Sequence, residues 1–139
     1  MHKRDYLVKQ FEEFAKVLAV LVGLKRDNDF HGMNELINST ALKYSQTEII
    51  FAEGLDNETF LNTLIHEKKL TDEQLKMLGD LLYEKGDYYS KINIDNELEA
   101  SNCFHKANMI FKFILHHATL NYSLDMHYKL EVLSKMGIE

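Results

Sequence analysis

The sequence predicts an all-α protein, an antiparallel bundle of five to seven helices in one domain spanning residues 1–139. Three observations predict it. Proline is absent from all 139 residues, so no position carries the locked φ and missing N–H that break helices. Apolar residues recur at steps of three and four, the helical period, and no segment shows the two-residue period of a strand. Between the periodic segments stand Asp, Asn, Thr and Gly, the residues that start and stop helices.

The first helix is expected from about Arg4 to Lys25. Leu7, Phe11, Phe14, Leu18 and Leu21 fall at spacings of 4, 3, 4 and 3, one stripe of a helix, and Val8, Ala15 and Val22 widen it. Two heptads are too few for a coiled coil, so the stripe points to packing inside a bundle, with homodimerisation through this helix as the minor alternative. Asp29 is a candidate N-cap for a second helix carrying Phe30, Met33, Leu36, Ile37 and Leu42 to about Tyr44. The run Ile49-Ile50-Phe51 fits helix or strand, and Gly54 ends it. Asp56 or Asn57 caps a short helix through Phe60, Leu61, Leu64 and Ile65.

Thr71-Asp72-Glu73-Gln74 is a capping box, with Gln three residues after the capping Thr. Leu75, Leu78, Leu81 and Leu82 follow on one side, and Gly86-Asp87 marks a stop or tight turn. Ser90 to Glu97 reads as a polar loop. A long helix is expected from about Asn96 to Ala118, with Ala100, Phe104, Ala107, Ile110, Phe111, Ile114 and Leu115 inward. The last runs from about Ser123 to Lys135, with Leu124, Tyr128, Leu130 and Leu133 inward and Gly137 near its end.

Composition narrows the functional classes. Hydrophobic residues at 45% and charged residues at 27% fit a globular domain rather than a disordered chain. The net charge of −6 has the wrong sign for a nucleic-acid binder, which needs a basic footprint. The charge is uneven: residues 1–26 hold six basic and three acidic groups, residues 27–60 one and seven. A single cysteine, Cys103, excludes an intramolecular disulfide. Lys9, Glu12, Glu13 and Lys16 interrupt any signal-peptide core, and no run of about 18 apolar residues offers a membrane span. The expectation is a cytoplasmic protein with no membrane partner.

The stretch from Leu75 to Tyr88 carries a Leu78-Gly79 pair, Tyr83 one turn on, and Gly86-Asp87-Tyr88. It resembles the first helix and turn of a tetratricopeptide repeat. Ala100, Phe104 and Ala107 are similar to the small-large-small residues of that repeat's second helix, resumed after an insertion around residues 89–99. Phe30, Met33, Ile37 and Thr40 resemble the second helix of an earlier, degenerate copy. The opening Arg4-Asp5-Tyr6, the amphipathic first helix and the Leu82-Tyr83-Glu84-Lys85-Gly86 segment also resemble a family of small uncharacterised bacterial proteins. The resemblance implies helix-turn-helix packing in which small residues let helices approach closely, and a concave face that grips peptides.

Lys76, Asp80, Tyr83 and Glu84 share one face of that helix, and by this resemblance they are the candidate peptide-binding set, with Tyr88 and Tyr89 as an aromatic rim. Catalytic motifs are missing: there is no Gly-rich phosphate loop, nucleophile elbow or Walker-type sequence. Cys103, among apolar neighbours, reads as an inert thiol. Seven histidines invite a metal, but no His-x-x-x-His or Glu-x-x-His pair exists to chelate one. His116 and His117 diverge on a helix, and His105 and His116 stand about 16 Å apart along one. The expected function is therefore a non-enzymatic protein or peptide interaction module, without cofactor. The alternative is a small-ligand- or metal-binding regulator.

Overall fold

A computed structural model of the protein describes residues 3–117 and 124–139, which form seven α-helices. These are α1 (Lys3–Arg26), α2 (Phe30–Ser45), α3 (Ile49–Gly54), α4 (Phe60–Asn62), α5 (Asp72–Ile92), α6 (Glu97–His117) and α7 (Leu124–Lys135). A π-helix, Thr63–Glu67, prolongs α4, and the 3-10 turn Ile94–Asn96 joins α5 to α6. The described residues contain no strand, so the fold is an all-α bundle. No described helix is long and apolar enough to cross a membrane. The expected end of α6 at Ala118 and start of α7 at Ser123 lie outside the described residues, as does the side chain of Leu7.

The caps form as their residue types dictate. Asp29 Oδ1 accepts the N–H of Gly32 at 3.0 Å at the start of α2. At the start of α5 the Thr71 hydroxyl accepts from Gln74 N at 3.1 Å, while the Gln74 side chain accepts from Thr71 N at 3.0 Å. Each bond satisfies a backbone donor that an open helix end leaves free. Helix α7 ends in a Schellman motif: Gly137 takes φ of +88°, and the N–H of Ile138 reaches Leu133 O at 3.0 Å. That turn folds Ile138 back into the core.

Helix α5 is the centre of the bundle. It pairs with α6 along its length and packs its other side on α2; α1 lies on α2, and α7 on α6. The α5–α6 contact is close because two glycines of α5 lie under large α6 side chains. A Cβ on Gly79 would stand 2.9 Å from Ile110 Cγ2 and from Phe111 Cε1. A Cβ on Gly86 would stand 2.7 to 2.9 Å from three atoms of the Phe104 ring. Gly86 is therefore no stop. The helix that was expected to turn at Gly86-Asp87 continues to Ile92, since the glycine serves close approach rather than a left-handed cap. Tyr88 and Tyr89 are helical in consequence, and the expected polar loop shrinks to a single extended residue, Asn93, and the 3-10 turn.

Other differences follow from which stripe is covered. In α1 the buried residues are Phe14 and Leu21, flanked by partly buried Phe11, Val17, Leu18 and Leu24, whereas Val8, Ala15 and Val22 face solvent. Helix α7 is rotated from its expected face: Met126, Lys129 and Leu133 are buried, and Leu124 and Tyr128 are exposed. Leu42 of α2 also points outward.

Substituting Gly86 or Gly79 by Ala is expected to destabilise the protein by up to about 2 kcal/mol. Overpacking of about 1–3 kcal/mol outweighs the helix-propensity gain of about 1 kcal/mol. A Cβ on Gly23 of α1 would meet no side chain nearer than 3.8 Å, so Gly23→Ala should stabilise by about 0.5–1 kcal/mol. Urea denaturation of the three variants checks both signs.

Candidate functional site

The four residues singled out on α5 do share a face, and that face is engaged by the protein itself. Asp80 is 2% exposed. Its carboxylate lies between two ammonium groups, Lys76 Nζ at 2.7 Å on Oδ2 and Lys129 Nζ of α7 at 2.9 Å on Oδ1. Asp125 extends the cluster, 3.2 Å from Lys129 and 3.7 Å from Lys76. Tyr83 is half-buried, edge-on to Phe104 at 5.8 Å between ring centroids, with the Lys129 ammonium 5.3 Å over its ring. Glu84 is buried and pairs at 3.3 Å with Lys25 from the last turn of α1, which also pairs with Asp87.

The energetic sign differs between these pairs. Burial pulls the Lys129 ammonium down, but Asp80 and Asp125 outweigh it and hold the group above its ordinary pKa. Glu84 is the opposite: burial pushes its carboxyl up, and Lys25 and Lys129 offset only part of that. Burial likewise raises the Tyr83 phenol. Lys129 and Lys25, which complete this cluster, were missed in the sequence reading. A signal for Lys129 was present, because it lies three residues after Met126 and four before Leu133, on the apolar stripe of α7.

A second cluster lies across α5. A groove of about 700 Å³ runs between α2, α3 and α5. Leu42 and Ile50, 54% and 71% exposed, stand on its rim. Its floor is polar and ordered. Lys85 Nζ donates to Asn34 Oδ1 and lies 4.9 and 5.2 Å over the rings of Tyr88 and Tyr89. The Tyr89 hydroxyl donates to Glu53 Oε1 at 2.7 Å, and Asn102 Nδ2 donates to the Glu53 carbonyl at 2.8 Å. Glu53 Oε2 is buried without a hydrogen bond. Behind the floor Lys106, 1% exposed, donates to Asn57 and Asn102 at 2.8 Å each and lies 5.3 Å over Phe60.

Burial sets the protonation of this cluster. It lowers the pKa of Lys85 and of Lys106, whose acceptors are neutral amides. It raises the Tyr89 phenol and the Cys103 thiol, with Glu53's charge adding to both. Burial thus favours the protonated form of the Cys103 thiol. Among the described residues no three His, Cys, Asp or Glu side chains gather in a way that could hold a metal ion. The sequence signal for Lys85 was its place on α5, three residues after Leu82 and four before Tyr89, on the buried stripe.

Comparison with protein-family models, with curated proteins and with solved structures finds no match to this chain.

Asp80→Ala is expected to destabilise by about 3 kcal/mol, because it removes the buried partner of Lys129 and leaves only Asp125, which is half-exposed. Lys76→Ala should cost less than about 1 kcal/mol, since Lys129 still neutralises Asp80. For Glu84 the folded-state pKa lies above the unfolded value, so its contribution is present below about pH 4.5 and lost as pH rises through the folded pKa. The melting temperature of Glu84→Gln relative to wild type should therefore be more favourable at pH 7 than at pH 4. Thermal melts at both pH values check the sign.

Proposed function

We propose that the protein is a non-enzymatic helical scaffold that docks a protein or peptide segment in the groove between α2, α3 and α5. The observation that carries this reading is the groove itself. Two large apolar side chains, Leu42 and Ile50, are held in water above a floor of hydrogen-bonded polar groups. Exposed apolar residues around a concavity with a few fixed polar groups favour recognition. The absence of a reaction motif in the sequence agrees with binding rather than catalysis.

The packing order supports a tetratricopeptide-like build. Helices α1 and α2 pair, α2 packs on α5, α5 pairs with α6, and α6 packs on α7. That succession, the second helix of each hairpin against the first of the next, is how helix-pair arrays stack. In such an array Lys76, Asp80, Tyr83 and Glu84 belong to the peptide-gripping face. Their pairing with Lys129 and Lys25 favours the α2–α3–α5 groove as the docking surface instead. The groove volume would also suit a small organic ligand, and that reading is separated by the same test.

A photo-crosslinking residue at position 50, compared with one at exposed Glu131 on α7, tests the proposal in lysate of the native host. A discrete protein adduct is expected from position 50, absent from position 131 and lost on adding Leu42→Asp. Leu42 is exposed, so that substitution should leave stability within about 0.5 kcal/mol. Adducts that persist with Leu42→Asp but vanish with Lys76→Ala/Tyr83→Ala would place docking on the other face of α5. No protein adduct at position 50 would favour the small-ligand reading.

A further inference from the structure

Resting on that reading of the groove, we propose that its occupant is a basic, amphipathic peptide segment. Its apolar side chains would seat on Leu42 and Ile50, and a Lys or Arg would reach the carboxylates of Glu48 and Glu53.

The charge of the lining carries the argument. Glu35, Glu48 and Glu53 face the groove against one cation, Lys85. Its buried ammonium is bonded to Asn34, covered by Tyr88 and Tyr89 and offsets Glu53 alone, which leaves Glu35 and Glu48 at the mouth without it. Glu35 meets exposed His31 at 3.0 Å, a partner charged only when protonated. Glu48 is exposed and forms no ion pair among the described residues. The wider surroundings have the same sign, with seven acidic and one basic residue across positions 27–60. Such a field draws in cations and turns away anions.

Glu53 adds a specific demand. One of its oxygens takes the Tyr89 hydroxyl, while the other is buried without a strong donor, the Cys103 thiol being only a weak one. A partly exposed carboxylate with one poorly satisfied oxygen gains a strong, charge-assisted bond when a cationic donor arrives. The flexible arm of a Lys or Arg, entering past Ile50, is such a donor.

The apolar component points to a peptide rather than a small amine. Glu35 and Ser39 line the groove and also a shallower depression beside it, whose other walls include Val20, Leu24 and Leu36. Val20 is exposed, as are Leu42 and Ile50. Exposed apolar residues thus stand on α3, α2 and α1 around the two depressions, with Glu35 and Ser39 between them. Apolar anchors in series with acidic groups between them match a segment whose apolar and basic residues alternate by face.

Two synthetic peptides of about three to four helical turns test the proposal, one built from Leu and Lys on opposite faces and one with every Lys replaced by Glu. Each is titrated by fluorescence anisotropy against the full chain, against Glu48→Gln/Glu53→Gln and against Leu42→Asp/Ile50→Asp. Glutamine at position 53 still accepts the Tyr89 hydroxyl, and thermal melts confirm that the variants fold. Glu48→Gln alone, at an exposed position, gives a reading free of any effect on the floor.

The expected result is saturable one-to-one binding of the Leu/Lys peptide, weakened about tenfold by the double Gln variant and by raised salt, with no binding of the Leu/Glu peptide. Equal binding of both peptides overturns the proposal, as does indifference to the Gln substitutions. If Leu42→Asp/Ile50→Asp alone abolishes such binding, the groove remains a docking surface and only the basic occupant is wrong. Failure of the Leu/Lys peptide to saturate at millimolar concentration also overturns it, whatever the crosslinking result.

Discussion

The structure depends on a helix that has run out of solvent. From Leu75 to Gly86, α5 is buried on nearly every side, and three of the enclosed residues are Asp80, Glu84 and Lys85. Apolar side chains accept many neighbours, but a buried charge must find a specific polar partner. Each of these charges finds one on a different helix: Asp80 on Lys129 of α7, Glu84 on Lys25 of α1, Lys85 on Asn34 of α2. A slip of any helix by one turn would keep apolar contact and strand a charge. The buried polar groups of α5 thus fix the register of α1, α2 and α7, while the glycines at 79 and 86 fix the approach of α6.

Fixing register is separate from adding stability. A buried ion pair often breaks even against apolar packing, because desolvation consumes the Coulombic gain. The three charges illustrate the range. Asp80 is flanked by two lysines, and Lys129 is held above its ordinary pKa, so attraction wins there. Glu84 is held above its own, so desolvation wins despite Lys25. Lys85 bonds a neutral amide and faces two aromatic rings, and burial outweighs the charge of Glu53, so its pKa falls. The α7 contact is accordingly the one in which the charges themselves supply stability, while at Glu84 and Lys85 the surrounding packing sustains the charge.

Much of the fold was legible because it follows from short-range rules. Asp29 and the Thr71–Gln74 box cap helices where a local donor and acceptor suffice. The inward face of α6 was legible in Ala100, Phe104, Ala107, Ile110, Phe111 and Ile114, which are apolar at helical spacing, although buried Lys106 and Asn108 stand among them. Gly86 was misread because a glycine stops a helix or admits a neighbour according to what packs against it, and Phe104 lies 18 residues away. The face of α7 was misread because its stripe is anchored by a lysine, and periodicity counts Lys129 as surface. The candidate set on α5 was a real cluster, but its partners sit on α1 and α7, beyond the reach of any local pattern.

Lys85, Lys106 and Lys129 share a feature that explains both the misreadings and the groove. Each occupies a place on a buried stripe where the neighbouring positions are apolar: Leu82 and Tyr89, Cys103 and Ile110, Met126 and Leu133. Lysine fits there because its long stem packs like an aliphatic chain while the ammonium seeks acceptors at the edge. For Lys129 the edge lies between α5 and α7, and carboxylates meet it. For Lys85 and Lys106 the edge lies toward α2 and α3, where Asn34, Asn57 and Asn102 supply acceptors without charge. The carboxylates nearby, Glu53 and Asp56, act on these lysines through charge without bonding them, and Glu53 Oε2 has no strong donor. Charge is thus internally settled on the α7 side of α5 and left unsettled on the α3 side, which is where the groove opens.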